Sequence, residues 1–200
     1  MFIYVYKFIS FFLFSYYMLS RKFNMLYDDD KIFAFNQTPV SLCKDIISNI
    51  EWTDGEIVLE PFAGTNNFYD NLPDNVIKHR CEIRDNLDYR DFDYDGIKPE
   101  TIITNPPFDL GESNRVRKND FFKILEFFTK IKSIKRIIFL ASSTCFESIT
   151  PKRLQIINEN GFFIQKITII NIKKWRGRYY LIELGKTYNP SFDYYMGIYE

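Results

Sequence analysis

Hydrophobic positions along the chain alternate between short apolar runs and helical stripes. Residues 38–50 (TPVSLCKDIISNI) space Val40, Cys43, Ile46, Ile47 and Ile50 at a helical period, with Thr38 as the expected N-cap and Pro39 at the first helical position. Ile57-Val58-Leu59 is a short apolar run closed by Pro61 and Gly64, which reads as a buried strand entering a turn. A short helix is expected over residues 65–72, a second strand from Val76 to Ile83 and a third from Thr101 to Thr104. Residues 119–132 (NDFFKILEFFTKIK) gather Phe121, Ile124, Leu125, Phe128 and Ile131 on one helical face. Ile137 to Ala141 reads as a strand. Pro151 to Asn160 reads as a helix with proline early and Gly161 just past its end. Phe162 to Ile170 and Tyr179 to Leu184 are the last strands, joined by the basic spacer NIKKWRGR.

This alternation predicts an α/β fold with a mostly parallel sheet. The last two strands have no helix between them and are expected to form an antiparallel hairpin. A chain of 200 residues suits one domain, placed here at residues 25–200.

Residues 1–20 (MFIYVYKFISFFLFSYYMLS) stand apart, with sixteen hydrophobic side chains, nine of them aromatic, and Lys7 as the one charge. The uncharged run from Phe8 to Ser20 is shorter than the ~20 residues of a spanning helix. No basic start and no small-residue cleavage site mark a signal peptide. Three readings of residues 1–24 stay open: a membrane anchor, held inward by Arg21 and Lys22; a docked apolar segment; or a leader ahead of a start at Met18 or Met25. The anchor is not the favoured one, because the candidate chemistry all follows Met25.

Net charge is zero, but unevenly composed. Residues 1–100 carry 10 basic and 17 acidic groups, and residues 101–200 carry 16 and 9. Such asymmetry is a cue for an interaction surface. Cys43, Cys81 and Cys145 are odd in number and form no CxxC, which argues against a disulfide framework or a Cys-rich zinc site. His79 is the single histidine, so a His-based triad or metal site is not expected. An intracellular, reducing compartment fits this usage.

The sharpest motif is Thr104-Asn105-Pro106-Pro107-Phe108, directly after the third strand. Two prolines stop a strand or helix and leave a rigid, extended loop. In an α/β sheet that loop lies at the carboxyl edge, where ligands bind. Proline carbonyls and the Asn105 side-chain carbonyl are acceptors that suit the two hydrogens of an NH2 group. Phe108 offers a flat face for a planar ring. The chemistry this suits is methylation of an exocyclic or amide nitrogen, whose delocalised lone pair becomes more nucleophilic when its hydrogens are held by acceptors.

From about residue 35 to 185 the chain resembles the class I S-adenosylmethionine-dependent methyltransferases, in particular the amino-methyltransferases with an (N/D)PP(Y/F) motif, which include N6-adenine enzymes. The resemblance implies a Rossmann-like fold with a mostly parallel seven-stranded sheet, a C-terminal antiparallel hairpin and helices on both faces. Phe35-Asn36-Gln37-Thr38-Pro39 looks like the motif before the first strand, implying that Thr38 and Pro39 meet the methionine end of the cofactor. Val58 to Gly64 is similar to the family's first motif, which places Glu60, Pro61, Phe62 and Gly64 at the cofactor, though with one glycine where relatives often have two or three. Glu82 and Ile83 match the ribose-binding position after the second strand. Asp91-Phe92 resembles the adenine contact, with Asp93 as the alternative register. Asn105, Pro106, Pro107 and Phe108 are the implied catalytic turn, with Asn105 also beside the cofactor. No metal is implied.

For the target side, Lys173, Lys174, Trp175 and Arg176 are the candidates, with the basic groups on phosphate and Trp175 stacked on a base. Residues 101–180 hold 15 basic and 6 acidic groups, as a nucleic-acid footprint would. The expected reaction is N6-adenine methylation of DNA or RNA. Guanine-N2 methylation of ribosomal RNA, glutamine methylation of a protein, and an inactive binding module are the alternatives. Only about twenty residues follow Tyr179, so target reading is expected to be loose, shape-based or shared with a protein partner.

Overall fold

The computed structural model describes residues 37–107, 120–172, 175 and 177–188. The chain divides into two units, Met1–Thr38 and Pro39–Glu200. In the first, only Gln37 and Thr38 are among the described residues, so the three readings of residues 1–24 fall outside them. Every strand and helix among the described residues lies in the second unit.

Six strands form one sheet: β1 (Ile57–Glu60), β2 (Ile77–Arg80), β3 (Thr101–Thr104), β4 (Arg136–Ser142), β5 (Phe163–Ile170) and β6 (Tyr179–Gly185), in the spatial order β2-β1-β3-β4-β6-β5. The first four run parallel, and β6 lies antiparallel between β4 and β5. The expected hairpin is present.

Strands β3 and β4 read as continuous apolar runs because both faces are covered. Alternate residues feed opposite layers: Ile137, Phe139 and Ala141 join one hydrophobic cluster, while Ile138 and Leu140 join the other. Helix α3 (Asp120–Thr129) brings Phe121, Ile124, Leu125 and Phe128 to the first cluster, and α5 (Pro151–Glu159) adds Leu154 and Ile157. Helix α1 (Val40–Ser48) brings Cys43, Ile46 and Ile47 to the second. All three cysteines are buried and free.

Several boundaries differ from the expectations. Pro39 is the N-cap of α1 rather than its first helical residue, and no side chain caps it. Residues 65–72 form turns and one turn of 3-10 helix, Tyr69–Asn71, rather than a helix. Two elements were not expected: the single turn α2 (Tyr94–Ile97) and α4 (Ser143–Glu147).

No seventh strand occurs among the described residues, and β2 is an edge of the sheet. The second strand stops at Arg80 instead of running to Ile83. The segment beyond it is rich in acids whose side chains bond nearby backbone. Glu82 accepts from the Arg84 N–H, Asp88 from Arg90 and Asp93 from Gly96. These local bonds compete with a strand ladder and favour tight turns. The result is 3-10 turns at Ile83–Asp85 and Tyr89–Asp91, followed by α2.

At the amino edge of the sheet, Arg136 of β4 ties β3 to the segment that leads into β1. It donates to the Glu56 carboxylate (2.9 Å), the Thr101 hydroxyl (3.2 Å) and the Glu51 carbonyl (3.0 Å), and lies 5.0 Å from the Trp52 ring centre.

Phe128 is fully buried, with Tyr89, Tyr94, Phe127 and Phe139 rings around it. Phe128→Ala should cost about 3–5 kcal/mol in denaturant unfolding, because the surrounding rings cannot all close the hole.

Candidate functional site

The carboxyl ends of β1, β2 and β3 deliver the candidate residues to one edge. β1 ends on Glu60, 2% exposed, with Val58 and Leu59 behind it in the core. The β1–β2 ladder runs past the strands: the Cys81 N–H donates to the Glu60 carbonyl and the Ala63 N–H to the Cys81 carbonyl, each at 2.9 Å. The loop after β1 is therefore pinned beside the end of β2.

Two buried carboxylates hold that loop. Glu60 accepts from the Tyr69 N–H at 2.8 Å. Glu82 accepts from the Gly64 N–H at 2.7 Å with one oxygen and from the Arg84 N–H at 3.1 Å with the other. Gly64 has φ +54°, a conformation a side chain resists, so glycine is the residue that lets the loop turn here. One glycine suffices because Asn66 takes the next left-handed position, at φ +65°.

Burial pushes the Glu60 carboxyl well above its usual 4.5, and nearby Asp70 and Glu82 add to it; the Tyr69 N–H and Arg80 oppose the shift. Burial also raises the Cys43 thiol to about 12 and the Cys81 thiol to about 11, so neither is a ready nucleophile at neutral pH.

The remaining candidates sort by their surroundings. Pro61 is buried, and Phe62 packs its ring 4.8 Å from Tyr89. Ile83 is 68% exposed, a bare apolar surface next to Glu82. Of the crowded acids, Asp85 pairs with Arg80, Asp88 pairs with Arg90, and Asp93 caps α2. Asp91 is exposed and takes no such part among the described residues, which separates it from Asp93. Phe92 lies edge-on to His79 and Tyr94. Pro39 opens α1, and Thr38 precedes it at the end of the other unit.

β3 ends at Thr104, as the Pro106-Pro107 pair requires. Asn105 and Pro107 are partly buried and Pro106 is buried. Phe108 lies outside the described residues. Two buried oxygens at this edge, Asn66 Oδ1 in the loop after β1 and Thr104 Oγ1 at the end of β3, have no hydrogen-bond partner among the described residues. One follows β1 and the other ends β3, so both lie at the carboxyl ends of neighbouring strands. No sequence pattern marks a buried oxygen that lacks a donor, so neither stands out before the chain is folded.

On the target side, Lys173, Lys174 and Arg176 lie outside the described residues. Trp175 does not offer an open face for a base. It is 8% exposed, its ring centre lies 4.6 Å from that of Tyr179, and both belong to the second core cluster. An indole on a short connection gains more by covering the sheet end than by standing in water. No cluster with metal-ligand character occurs among the described residues.

Glu60→Gln tests the electrostatics. A carboxyl whose folded pKa is raised supports the fold below its ordinary pKa and loses that support as pH rises through the folded value. Melting temperatures of the wild type should therefore fall over the window opening near pH 4.5, and Glu60→Gln should flatten that decline.

No protein-family model and no curated protein matches the chain. Solved structures do. The Mtq2–Trm112 complex of E. cuniculi, responsible for methylation of the eRF1 translation termination factor, contains a chain that matches with TM-score 0.56 at 13% identity, covering 76% of this chain and 99% of that one. A Listeria monocytogenes protein described as a class I S-adenosylmethionine-dependent methyltransferase matches with TM-score 0.56 at 15% identity, covering 81% of this chain and 64% of that one. The fold is the Rossmann-like α/β fold of S-adenosylmethionine-dependent methyltransferases.

Proposed function

We propose that the chain is an S-adenosylmethionine-dependent N-methyltransferase acting on the exocyclic N6 amine of adenine in DNA or RNA. The observation that carries the reading is the Asn105-Pro106-Pro107 turn at the carboxyl end of β3, on the same sheet edge as the buried acids Glu60 at the end of β1 and Glu82 just after β2.

The residues at that edge suit the cofactor. Glu60 and Glu82 offer acceptor lone pairs for its amine and ribose hydroxyls, Asp91 an exposed carboxylate for its adenine amine, and Ile83 an apolar surface for the ring. Asn66 Oδ1 and Thr104 Oγ1, without a partner among the described residues, add two further acceptors. When bound, S-adenosylmethionine supplies an electrophilic methyl group on a cationic sulfur. The chain's own part is to bind and orient. Asn105 and the proline carbonyls accept the hydrogens of the target NH2, which turns its lone pair toward the methyl group, and Phe108 stacks on the ring. A base in a duplex has to leave the stack to reach such a turn.

The basic excess over residues 101–180 favours a nucleic-acid acceptor, with Lys173, Lys174 and Arg176 on phosphates. A protein acceptor, a glutamine side-chain amide, is the second reading. It is supported by the likeness to Mtq2–Trm112, which methylates a protein and works as a complex. A protein partner for this chain fits either reading.

Incubation with methyl-labelled cofactor and DNA, RNA or protein, followed by mass spectrometry of the hydrolysed products, should give N6-methyladenine. Its absence from both nucleic acids, with methylglutamine in the protein arm, would transfer the assignment to the second reading. Asn105→Ala should lower turnover about 100-fold or more, the scale for losing one positioned hydrogen bond at a reacting group. Calorimetric cofactor affinity should stay within about threefold, a shift under 1 kcal/mol. Asp91→Ala should do the reverse and weaken cofactor binding about tenfold.

A further inference from the structure

A second aromatic feature stands at the same edge, on the face opposite Trp175. β6 runs antiparallel to β4, so its first residues lie at the carboxyl end of the parallel strands: Tyr179 pairs with Ser142 and Tyr180 with Ala141. Successive residues point to opposite faces. Tyr179 goes with Trp175 to the second core cluster, and Tyr180 goes to the first. Tyr180 is only partly buried, and the Phe146 ring from α4 stacks on it, with centres 4.8 Å apart and planes 26° from parallel.

Ile169 lies directly across from Tyr180 on β5, and it is 68% exposed. Only one other large hydrophobic among the described residues, Ile83, is as exposed. Single exposed apolar residues are common, but this one adjoins a partly exposed aromatic stack at the ligand-binding edge. Ile167, two residues back on the same face, continues the apolar surface and is partly buried.

The sheet register sets the distance to the catalytic turn. Thr104 pairs with Phe139, and Tyr180 pairs with Ala141, two residues further toward the edge. Tyr180 is therefore level with the Asn105-Pro106-Pro107 turn and two strand spacings aside, about 10 Å. One base at the turn does not reach that far. A neighbouring nucleotide of the same strand does. Arg178, exposed and two residues before Tyr180, adds a cation at this edge.

We infer that Phe146, Tyr180 and Ile169 form a stacking platform for a nucleobase next to the target in a single-stranded segment of DNA or RNA. This rests on the nucleic-acid reading of the acceptor. A flat aromatic pair flanked by an aliphatic residue suits any base, because each has a π-face, and gives affinity with little sequence preference.

The test is fluorescence anisotropy with labelled single-stranded RNA and DNA oligonucleotides of mixed sequence. Tyr180→Leu should weaken binding about 5- to 150-fold, the range for one lost base–aromatic stack, with the salt slope unchanged because no phosphate contact is removed. Tyr180→Phe should bind like the wild type. Ile169→Gln, at an exposed position where folding is not at stake, should weaken binding about threefold or more through lost apolar contact. Loss in the RNA arm, the DNA arm or both supports the platform and names the strand it serves. Wild-type affinity and salt slope in Ile169→Gln and in folded Tyr180→Leu would overturn it, as would a wild type that binds neither oligonucleotide. Variant-sensitive binding without any nucleoside methylation by the wild type would leave the platform standing and remove the proposed reaction. Methylation with variant-insensitive binding would do the opposite. Sensitivity of a protein acceptor alone would assign the surface to a polypeptide and overturn the inference.

Discussion

Pro106 and Pro107 have no N–H to donate, so the sheet has to release the chain after Thr104. Everything proposed for the site depends on that enforced exit. β3 lies between β1 and β4, so the chain leaves from the interior of the sheet rather than from a fraying edge. Largely buried strands hold it on both sides, with Ile102 and Ile103 in opposite core layers. A turn anchored in this way has its acceptors held in place by the strand that precedes it.

Beside that turn the fold keeps two carboxylates in buried positions. Glu60 and Glu82 accept backbone N–H groups of the loop after β1 and of the turn after β2. The loop is thus shaped by its acids, with Gly64 and Asn66 taking the left-handed positions this shape requires. The cost of burying Glu60 as an anion is visible in its raised pKa. A cationic ligand would relieve that cost, which ties the electrostatics of the loop to the proposed cofactor. The net charge of zero then describes two halves of opposite character rather than a uniformly neutral chain.

Much of the fold was legible because its signals are local and strong. The apolar runs of β1, β3 and β4, the stripe of α3 and the proline–glycine bracket of α5 each answer to a periodicity or a backbone restriction. The region after β2 was not, because five aspartates over residues 85–95 can cap turns or flank a strand equally well. The outcome turns on which side chains reach which N–H groups. Trp175 shows the same limit in the site. An indole among Lys173, Lys174 and Arg176 reads as a nucleic-acid contact, yet its ring lies in the core beside Tyr179. Tyr180, one residue later and on the other face, carried no signal of its own beyond strand alternation.

The sequence by itself determined where the third strand stops, that Asn105 and two prolines follow it, and that acids precede and bases follow the midpoint of the chain. These depend on covalent structure and composition, which no packing can alter. Tertiary structure alone decided that the sheet has six strands among the described residues, that Glu82 grips Gly64, and that Tyr180 stacks with Phe146 and lies across from Ile169. Such contacts join positions that are not neighbours in the chain. They exist only once the parallel strands and the antiparallel β6 have set the register that brings their side chains to one edge.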